Sequence, residues 1–522
     1  MVPEMAKTFY ITTAIDYTNG APHIGHAYEK ILADVVARFH RLKGEPVYLL
    51  IGVDQHGQKV QQAAQKAGIA PAQYASEVTE KFTALWAKLG IGYDGWAATT
   101  DPRHRKCVER ILTRLHDEGQ LYKASYGGYY SVRQEQFLTD KERGENGEFG
   151  PEWGEVVHIE EENWYFKLAP HREWLEKFVE SHADFVVPGF RQVELLNAVR
   201  KMAGDLSISR PKERLAWGIE IPFDPGYVTY VWFDALINYI SFAGYLADAD
   251  AGLPDFQRLW PADVHVIGKD ILVPAHGIYW PIMLHALGFA DEQIARLLVH
   301  GYINSSGAKM SKSLGNVVDP DLLADKYGAE ALRYYLMRDC TMGQDMDFAE
   351  ERLVSRFNTD LANGLGNLLN RTVSMSGRYR SGVLTRAEHD FADIREVEAV
   401  AAAALDGFTA AMNDFQIHLA IEHVWAFVNR CNQFVDSSAA WKVAKDPDQA
   451  ARLDAILYTL AESLRILAIL SAPVLPKASA AISAQLNVPG APLLANAIWG
   501  GLPDQHQLGQ PVPVFPRIET AS

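Results

Sequence analysis

The side chains in this chain best suited to chemistry fall into two short, widely separated groups. His23 and His26 flank Ile24-Gly25 just after the turn formers Asn19, Gly20 and Pro22, and Lys309 and Lys312 lie within Lys309-Met310-Ser311-Lys312-Ser313. Two imidazoles three residues apart on the first turn of a helix can face the same way. A helix N-terminus also presents free backbone N–H groups and the positive end of its dipole to a phosphate. Gly25 has no Cβ, so a flat base or a ribose can approach the backbone. Lysine carries a compact charge on a flexible stem and can follow a phosphate as it leaves. Together these groups point to nucleotide chemistry with release of pyrophosphate. Each alone has a plainer reading, the histidines as the first crossover of an ordinary doubly wound sheet and the lysines as a solvated loop. Both together, in this order and these contexts, are far rarer by chance.

The elements that must position these groups can be read from the residue pattern. Residues 9–13, FYITT, are apolar and β-branched and read as a buried strand. From His23 a helical period carries Ile31, Leu32, Val35, Val36 and Phe39 on one face, with Gly44 as its stop. Residues 46–53, PVYLLIGV, read as a second buried strand, with Asp54 at the carboxyl end where open parallel sheets bind ligands. On local grounds Asp54 is either a helix N-cap or an anion for a substrate ammonium. Helices follow over 71–89 and 103–120. The segment 123–229 interrupts the sheet, which resumes over 227–240, although Trp232, Ala235 and Tyr239 recur there at helical spacing, ordinarily a sign of plain core. Residues 264–268 and 297–302 are further strands, and Asp319-Pro320 caps a helix that leads into a connector over 327–338. Beyond about residue 350 the periodicity is helical throughout, over 352–376, 395–412, 417–436 and 450–472. The expected class is α/β, a Rossmann-type doubly wound parallel domain with an insertion, followed by an all-α bundle.

Bulk properties narrow the partners. The 522 residues are 48% hydrophobic and 22% charged, as in an ordinary globular protein. A net charge of -16 gives no global field for nucleic acid, so DNA is not expected and an RNA partner needs local basic patches. Cys107, Cys340 and Cys431 follow no disulfide or metal spacing, as expected in a reducing cytoplasm. The start of the chain lacks the charged head and apolar stretch of a signal peptide, and no apolar run reaches membrane-spanning length.

The two motifs carry a resemblance. HIGH at 23–26 followed by KMSKS at 309–313 resembles the class I aminoacyl-tRNA synthetases. The wider wording, ITTAIDYTNGAPHIGHAYEKI, GVDQHG, YVWFDALINYI, VIGKDIL, LVHGYINSSGAKMSKSLGNVVDP, YGAEALRYYLMR, FNTDLANGLGNLLNR and AAWKVAKD, is similar to the methionyl branch of that family. It covers nearly the whole chain apart from part of 123–190 and the C-terminal tail. The resemblance implies ATP-dependent ligation of methionine to tRNA(Met) through methionyl-adenylate, with Mg²⁺ brought by ATP. It implies catalytic roles for His23, His26, Lys309 and Lys312, and ATP binding by these with Gly25 and Ser311. Methionine would be held by Ile15, Tyr17, Asp54, Trp232, Ala235, Leu236, Tyr239 and His276, with Glu29 and Arg210 in support, either paired or separate. The segment holding His276, DILVPAHGIYW, is one residue longer than the family's usual form.

In the family the segment 123–229 is a connective insertion that often carries a zinc knuckle. Here Ser131-Val132-Arg133-Gln134 stands where a cysteine pair is expected, so no structural zinc is expected. At roughly 105 residues the insertion is also too small to add a separate hydrolytic editing domain. The implied limits are 1–122 and 230–318 for the two halves of the catalytic domain, 319–355 for a stem-contact connector and 356–522 for an anticodon-binding bundle. In that bundle Asn367, Arg371 and Trp441 match residues that contact anticodon bases, although Trp441 also reads as a core tryptophan. The chain ends at Ser522 without an appended dimerising domain, so a monomer is expected. Two rivals remain at this level: a nucleotidyltransferase sharing the histidine motif, and a synthetase-like RNA-binding protein without catalysis.

Overall fold

The computed structural model describes residues 7–131, 136–138, 140–144, 146–305, 307–309, 317–386 and 391–519. Its centre is a parallel seven-stranded sheet. The strands are β1 (Phe9–Thr13), β2 (Asp16–Tyr17), β3 (Val47–Asp54), β4 (Gly95–Ala98), β5 (Val186–Val187), β6 (Val264–Gly268) and β7 (Arg296–His300). Across the sheet they run β4, β3, β1, β6, β7, β5, with β2 joined to the carboxyl end of β3. The chain winds outward from β1 through β3 to β4, then returns to the other side of β1 with β6 and β7. Strand order therefore reverses beside β1, and ligands bind at the carboxyl ends of strands at such a switch.

β1 is buried along its whole length, as its apolar and β-branched residues require. Helix α1 (Ile24–Leu42) packs on β1 and β3 with Ile31, Leu32, Val35, Val36 and Phe39 buried. It stops at Lys43, and Gly44 follows at φ 84°, a left-handed turn suited to a residue without Cβ.

Two expectations need correction. Residues 227–240 do not re-enter the parallel sheet. Tyr227–Thr229 pairs antiparallel with Ser209–Pro211, and the chain then forms a short helix, α2 (Val231–Leu236), and a further helical turn, Asn238–Ser241. The aromatic and β-branched content favours strand locally, but strand preference depends on context, and here nearly every side chain is buried on a helical turn. Second, the segment between β4 and β6 is not wholly outside the sheet: β5 lies within it and pairs with β7 through Leu297 and Leu298. The rest of that segment includes an antiparallel sheet of Gln136–Leu138, Leu121–Ser131, Val156–Phe166 and Leu206–Ser207.

The C-terminal part is helical, as expected. Glu350–Arg356 runs into a π-wound stretch, Phe357–Gly366, and then returns to α-helix over Asn367–Arg380, so the helix expected over 352–376 has a π-wound middle. Ala392–Asn413, Ile417–Ser438, Ala450–Ser471 and Pro476–Gln485 complete the bundle. Its core is continuous with that beneath α1, where the Phe39 and Phe408 rings meet edge to face at 5.8 Å. Arg333 strengthens the join. Its buried guanidinium donates to the carbonyls of Val474 and Pro473, both at 3.0 Å, and pairs with Asp34 of α1 at 2.7 Å. All three cysteines are buried and unlinked. Among the described residues no helix is long and apolar enough to cross a membrane.

Candidate active site

A cavity of about 1110 Å³ opens at the carboxyl ends of β1, β3, β6 and β7. It is lined by His23, Gly25, His26 and Glu29 at the start of α1, by Ile15, Tyr17 and Asp54, by Trp232, Ala235, Leu236 and Tyr239, and by Arg210 and His276. Side chains expected from five separate stretches of sequence thus converge.

The histidine pair is set by the helix start itself. His23 is the N-cap in an extended conformation, and its Nδ1 accepts the Gly25 N–H at 3.1 Å. The Nδ1 of His26 accepts the His23 N–H, also at 3.1 Å. A backbone N–H can only donate, so in each neutral ring the proton sits on Nε2. The rings lie 3.8 Å apart. Burial, reinforced by His23 and Lys30, holds the His26 pKa well below the usual imidazole range, so His26 is neutral at pH 7 and still a donor.

This differs from a site of free backbone N–H groups. The Ile24 N–H is taken by the Val318 carbonyl at 3.2 Å and that of Gly25 by His23, so the imidazoles become the donors at this wall. Gly25 also has a task the sequence did not suggest. A Cβ there would come within 2.9 Å of the His23 ring, so glycine lets that ring fold back over the helix.

The lysine motif lies mostly outside the described residues, which include neither Ser311 nor Lys312. The backbone of Lys309 pairs with Asn304 in a short ribbon that follows β7. The described residues on either side reach the same place: Ile303 lines the cavity, and Val318 bonds the first N–H of α1.

Asp54 ends β3 and is nearly buried. Its Oδ1 accepts the Thr99 hydroxyl and the His56 N–H, each at 3.3 Å. The helix after it is capped by Gly57, so Asp54 is not an N-cap.

Opposite stands an apolar and aromatic wall. Trp232, Ala235 and Leu236 come from α2 and Tyr239 from the next turn. The Tyr239 ring stacks on buried His265 at 4.2 Å. His276 Nδ1 lies 3.0 Å from the Ile271 carbonyl and must donate to it, leaving Nε2 to accept the Tyr239 hydroxyl at 2.7 Å. His276 stands in a π-wound segment, Leu272–Tyr279, that breaks helical geometry at Val273 (φ -115°, ψ 125°). His276 is thereby brought onto the cavity wall.

Burial lowers the His276 pKa to about 4. The unfolded chain therefore binds this proton between about pH 6.5 and 4 while the folded chain does not, and stability falls as pH drops through that window. His276→Gln is expected to remove about 1.4 kcal/mol per pH unit of that slope, measured by chemical denaturation from pH 7 to pH 4.5.

Glu29 and Arg210 both line the cavity but are not partners. Glu29 accepts from Lys30 at 2.9 Å and contacts His300 Nε2 at 3.2 Å. Arg210 donates to Ser207 and to the Ser209 carbonyl and lies over the Tyr230 ring. Sequence reasoning missed Lys30, which is fully buried and also bonds Asp16 at 2.8 Å and the Ala14 carbonyl at 2.9 Å. Burial alone would lower the Lys30 pKa, but Asp16 and Glu29 outweigh it and hold the group charged. Burial raises the Asp16 pKa to about 7 even beside that cation. The available signal was charge at Lys30 and Asp34, one turn apart within a helix rich in apolar residues.

A second group lies on the bundle. Trp441 is 37% exposed, with the Arg371 guanidinium 5.8 Å from its ring, and Arg371 pairs with Asp436 at 2.9 Å. Asn367 is exposed at the start of the same helix as Arg371. Trp441 is therefore not a fully enclosed core residue. Among the described residues no group of three or more His, Cys, Asp or Glu side chains could hold a metal ion; positions 132–134, considered for a knuckle, lie outside them.

The chain matches the family model described as tRNA synthetases class I (M) over residues 9–148 and 153–373, and that of the anticodon binding domain of methionyl tRNA ligase over 388–522. It is 41% identical over 521 residues to the methionine–tRNA ligase of Deinococcus radiodurans, covering 98% of this chain and 75% of that protein. It is 39% identical to the Listeria monocytogenes enzyme of the same name, covering 99% and 79%. Among solved structures, Mycobacterium tuberculosis methionyl-tRNA synthetase in complex with methionyl-adenylate superposes with a TM-score of 0.91 at 36% identity, over 98% of this chain and all of that one. The free form of that synthetase gives 0.85 at 33% identity over the full length of both. Parallel sheet, paired imidazoles and helical bundle thus occur together in a chain that belongs to the methionyl-tRNA synthetase family.

Proposed function

We infer that this chain is a methionine–tRNA ligase. It activates L-methionine with ATP as methionyl-adenylate and transfers the methionyl group to tRNA(Met), releasing AMP and pyrophosphate, to supply translation initiation and elongation. One observation carries the reading: paired imidazole donors, a buried carboxylate and an aromatic, apolar wall share a single cavity at the strand-order reversal.

The methionine carboxylate is ionised at pH 7 and attacks the α-phosphorus without a general base. The protein's task is to align the reactants and stabilise charge moving onto pyrophosphate. His23 and His26 donate through Nε2 to phosphate oxygens. Lys309 and Lys312 close on the β- and γ-phosphates, with Ser311 beside them. Mg²⁺ enters as part of the nucleotide substrate, bound by phosphate and water. Asp54 holds the methionine ammonium. Ile15, Tyr17, Trp232, Ala235, Leu236, Tyr239 and His276 enclose the thioether, for which sulfur–aromatic contacts contribute about 0.3–1.5 kcal/mol each. Glu29 and Arg210 support the substrates. In the second step the terminal adenosine hydroxyl of tRNA attacks the activated carbonyl.

The division of the chain that goes with this function is catalytic over 1–122 and 230–318, connective over 123–229, stem-contacting over 319–355 and anticodon-binding over 356–522. The enzyme acts as a cytoplasmic monomer. Methionine-dependent exchange of labelled pyrophosphate into ATP tests the first step. No exchange, or exchange with another amino acid in place of methionine, overturns the assignment.

Asn367, Arg371 and Trp441 read the anticodon, with the indole as a platform for an unstacked base. Trp441→Ala is expected to raise the KM for tRNA(Met) by about 10- to 100-fold, since one stacked base contributes about 1–3 kcal/mol. Pyrophosphate exchange should be unchanged, because the indole does not line the cavity. Aminoacylation kinetics with titrated tRNA check both.

A further inference from the structure

Behind the cavity wall lies a buried polar link with no part in the chemistry above. His56, two residues after Asp54, points its Nδ1 at Asp234 Oδ2, 2.6 Å away. The other oxygen, Oδ1, is 2.8 Å from His104 Nε2, and His104 Nδ1 is 2.8 Å from the Ser241 hydroxyl. His56 and Ser241 are 2% exposed, and His104 and Asp234 not at all. Burial would raise the Asp234 carboxyl, but the two imidazoles outweigh it and hold it below its usual value, so it is an anion with a partner on each oxygen.

The link joins the two sides of the proposed amino-acid site. His56 belongs to the turn that follows Asp54, and its own N–H bonds the Asp54 carboxylate. Asp234 lies on α2 between Trp232 and Ala235, and Ser241 ends the turn that carries Tyr239. Helix α2 has only six residues and no side-chain cap, so few internal bonds hold it and its place is set by tertiary contacts. Close packing backs the link. Gly57, at φ 101°, has no room for a Cβ, which would fall 2.4 Å from the Tyr17 hydroxyl and 3.4 Å from Val231 at the start of α2.

We propose that the His56–Asp234 hydrogen bond is a positioning device for methionine, fixing the distance between the Asp54 carboxylate and the thioether wall on α2. The proposal rests on the reading of this cavity as a methionine-activating site. A flexible substrate held at both ends gains most when the two ends are preset, and small misplacements weaken binding and reaction steeply.

The test is steady-state pyrophosphate exchange, normalised to active sites by the adenylate burst, for His56→Leu, His56→Asn and Asp234→Asn. Leucine cannot donate, whereas asparagine at position 56 places an N–H where Nδ1–H was. Asparagine at 234 can still accept from His56, with its amide turned to His104 and the His104 proton moved to Nδ1 toward Ser241. His56→Leu is expected to raise the methionine KM at least tenfold with the ATP KM within twofold, and both asparagine variants to stay within threefold of wild type for methionine. A methionine KM unchanged in His56→Leu overturns the proposal. So does a rise in the methionine and ATP constants together, which marks general loosening, or a failure of His56→Asn to restore binding. If the wild-type protein shows no methionine-dependent exchange, the underlying reading falls first and the positioning role with it.

Discussion

His26→Ala is expected to lower kcat and kcat/KM for methionine-dependent pyrophosphate exchange together by about 10²–10³, or about 2.7–4 kcal/mol of transition-state stabilisation. His26 is a half-buried donor at the start of α1 on the cavity wall, where a fixed dipole acts on moving charge with less screening than in water. Its Nδ1 is occupied by the His23 N–H, so only Nε2–H is left for phosphate. The contact strengthens as charge develops on the leaving pyrophosphate, so ATP binding should change much less than turnover. The substitution also removes one half of the cap at the helix start, worth about 1 kcal/mol, and a melting curve separates that loss from the loss of rate. Because His26 stays neutral, its own titration should put no limb in the pH–rate profile near pH 7. A fall of less than threefold in kcat would show that the imidazole does not act on the phosphates.

Asp54→Asn is expected to act on the other substrate. The side chain keeps its size and can still accept from Thr99 and the His56 N–H, but loses the charge proposed above to hold the methionine ammonium. Removing one partner of a desolvated charge pair costs about 2–4 kcal/mol, so the methionine KM should rise roughly 30- to 10³-fold. The ATP KM should stay within about twofold, since one site is lost and not the fold. Exchange kinetics with methionine varied at saturating ATP, and direct calorimetric titration of methionine, measure the effect. An unchanged methionine constant would reassign the ammonium to another acceptor.

These two residues differ in how openly the sequence displayed them. His26 follows a strand, a turn and the start of an amphipathic helix, all local features, so both its place and its direction could be inferred from neighbours a few residues away. Asp54 could be placed at the end of a strand, but whether it capped a helix or faced a ligand depended on Gly57 taking the capping position. Trp232, Ala235 and Tyr239 had the spacing of a helix within residues whose types favour a strand. The helix formed with its apolar residues Val231, Phe233 and Leu236 buried in a core shared with Leu272 and Ile278 of the π-wound stretch, partners distant in sequence. Lys30 was harder still, since a lysine on a helix is ordinarily at the surface. Only the meeting of Asp16, Glu29 and the Ala14 carbonyl at one buried point explains it.

What the sequence alone determined is therefore the set of elements with strong short-range pattern: β1, α1, β3, β6, β7 and the bundle helices, together with the histidine pair at the start of α1. Their periodicity and turn residues act over a few positions and need no partner to be read. Tertiary structure decided the rest. It returned β5 to the sheet edge, wound the stretch around His276 as a π-helix, set Glu29 on Lys30 and His300, and joined His56 to Asp234. Each of these is a contact between segments far apart in the chain, chosen by which buried polar groups could find partners once the apolar faces had packed.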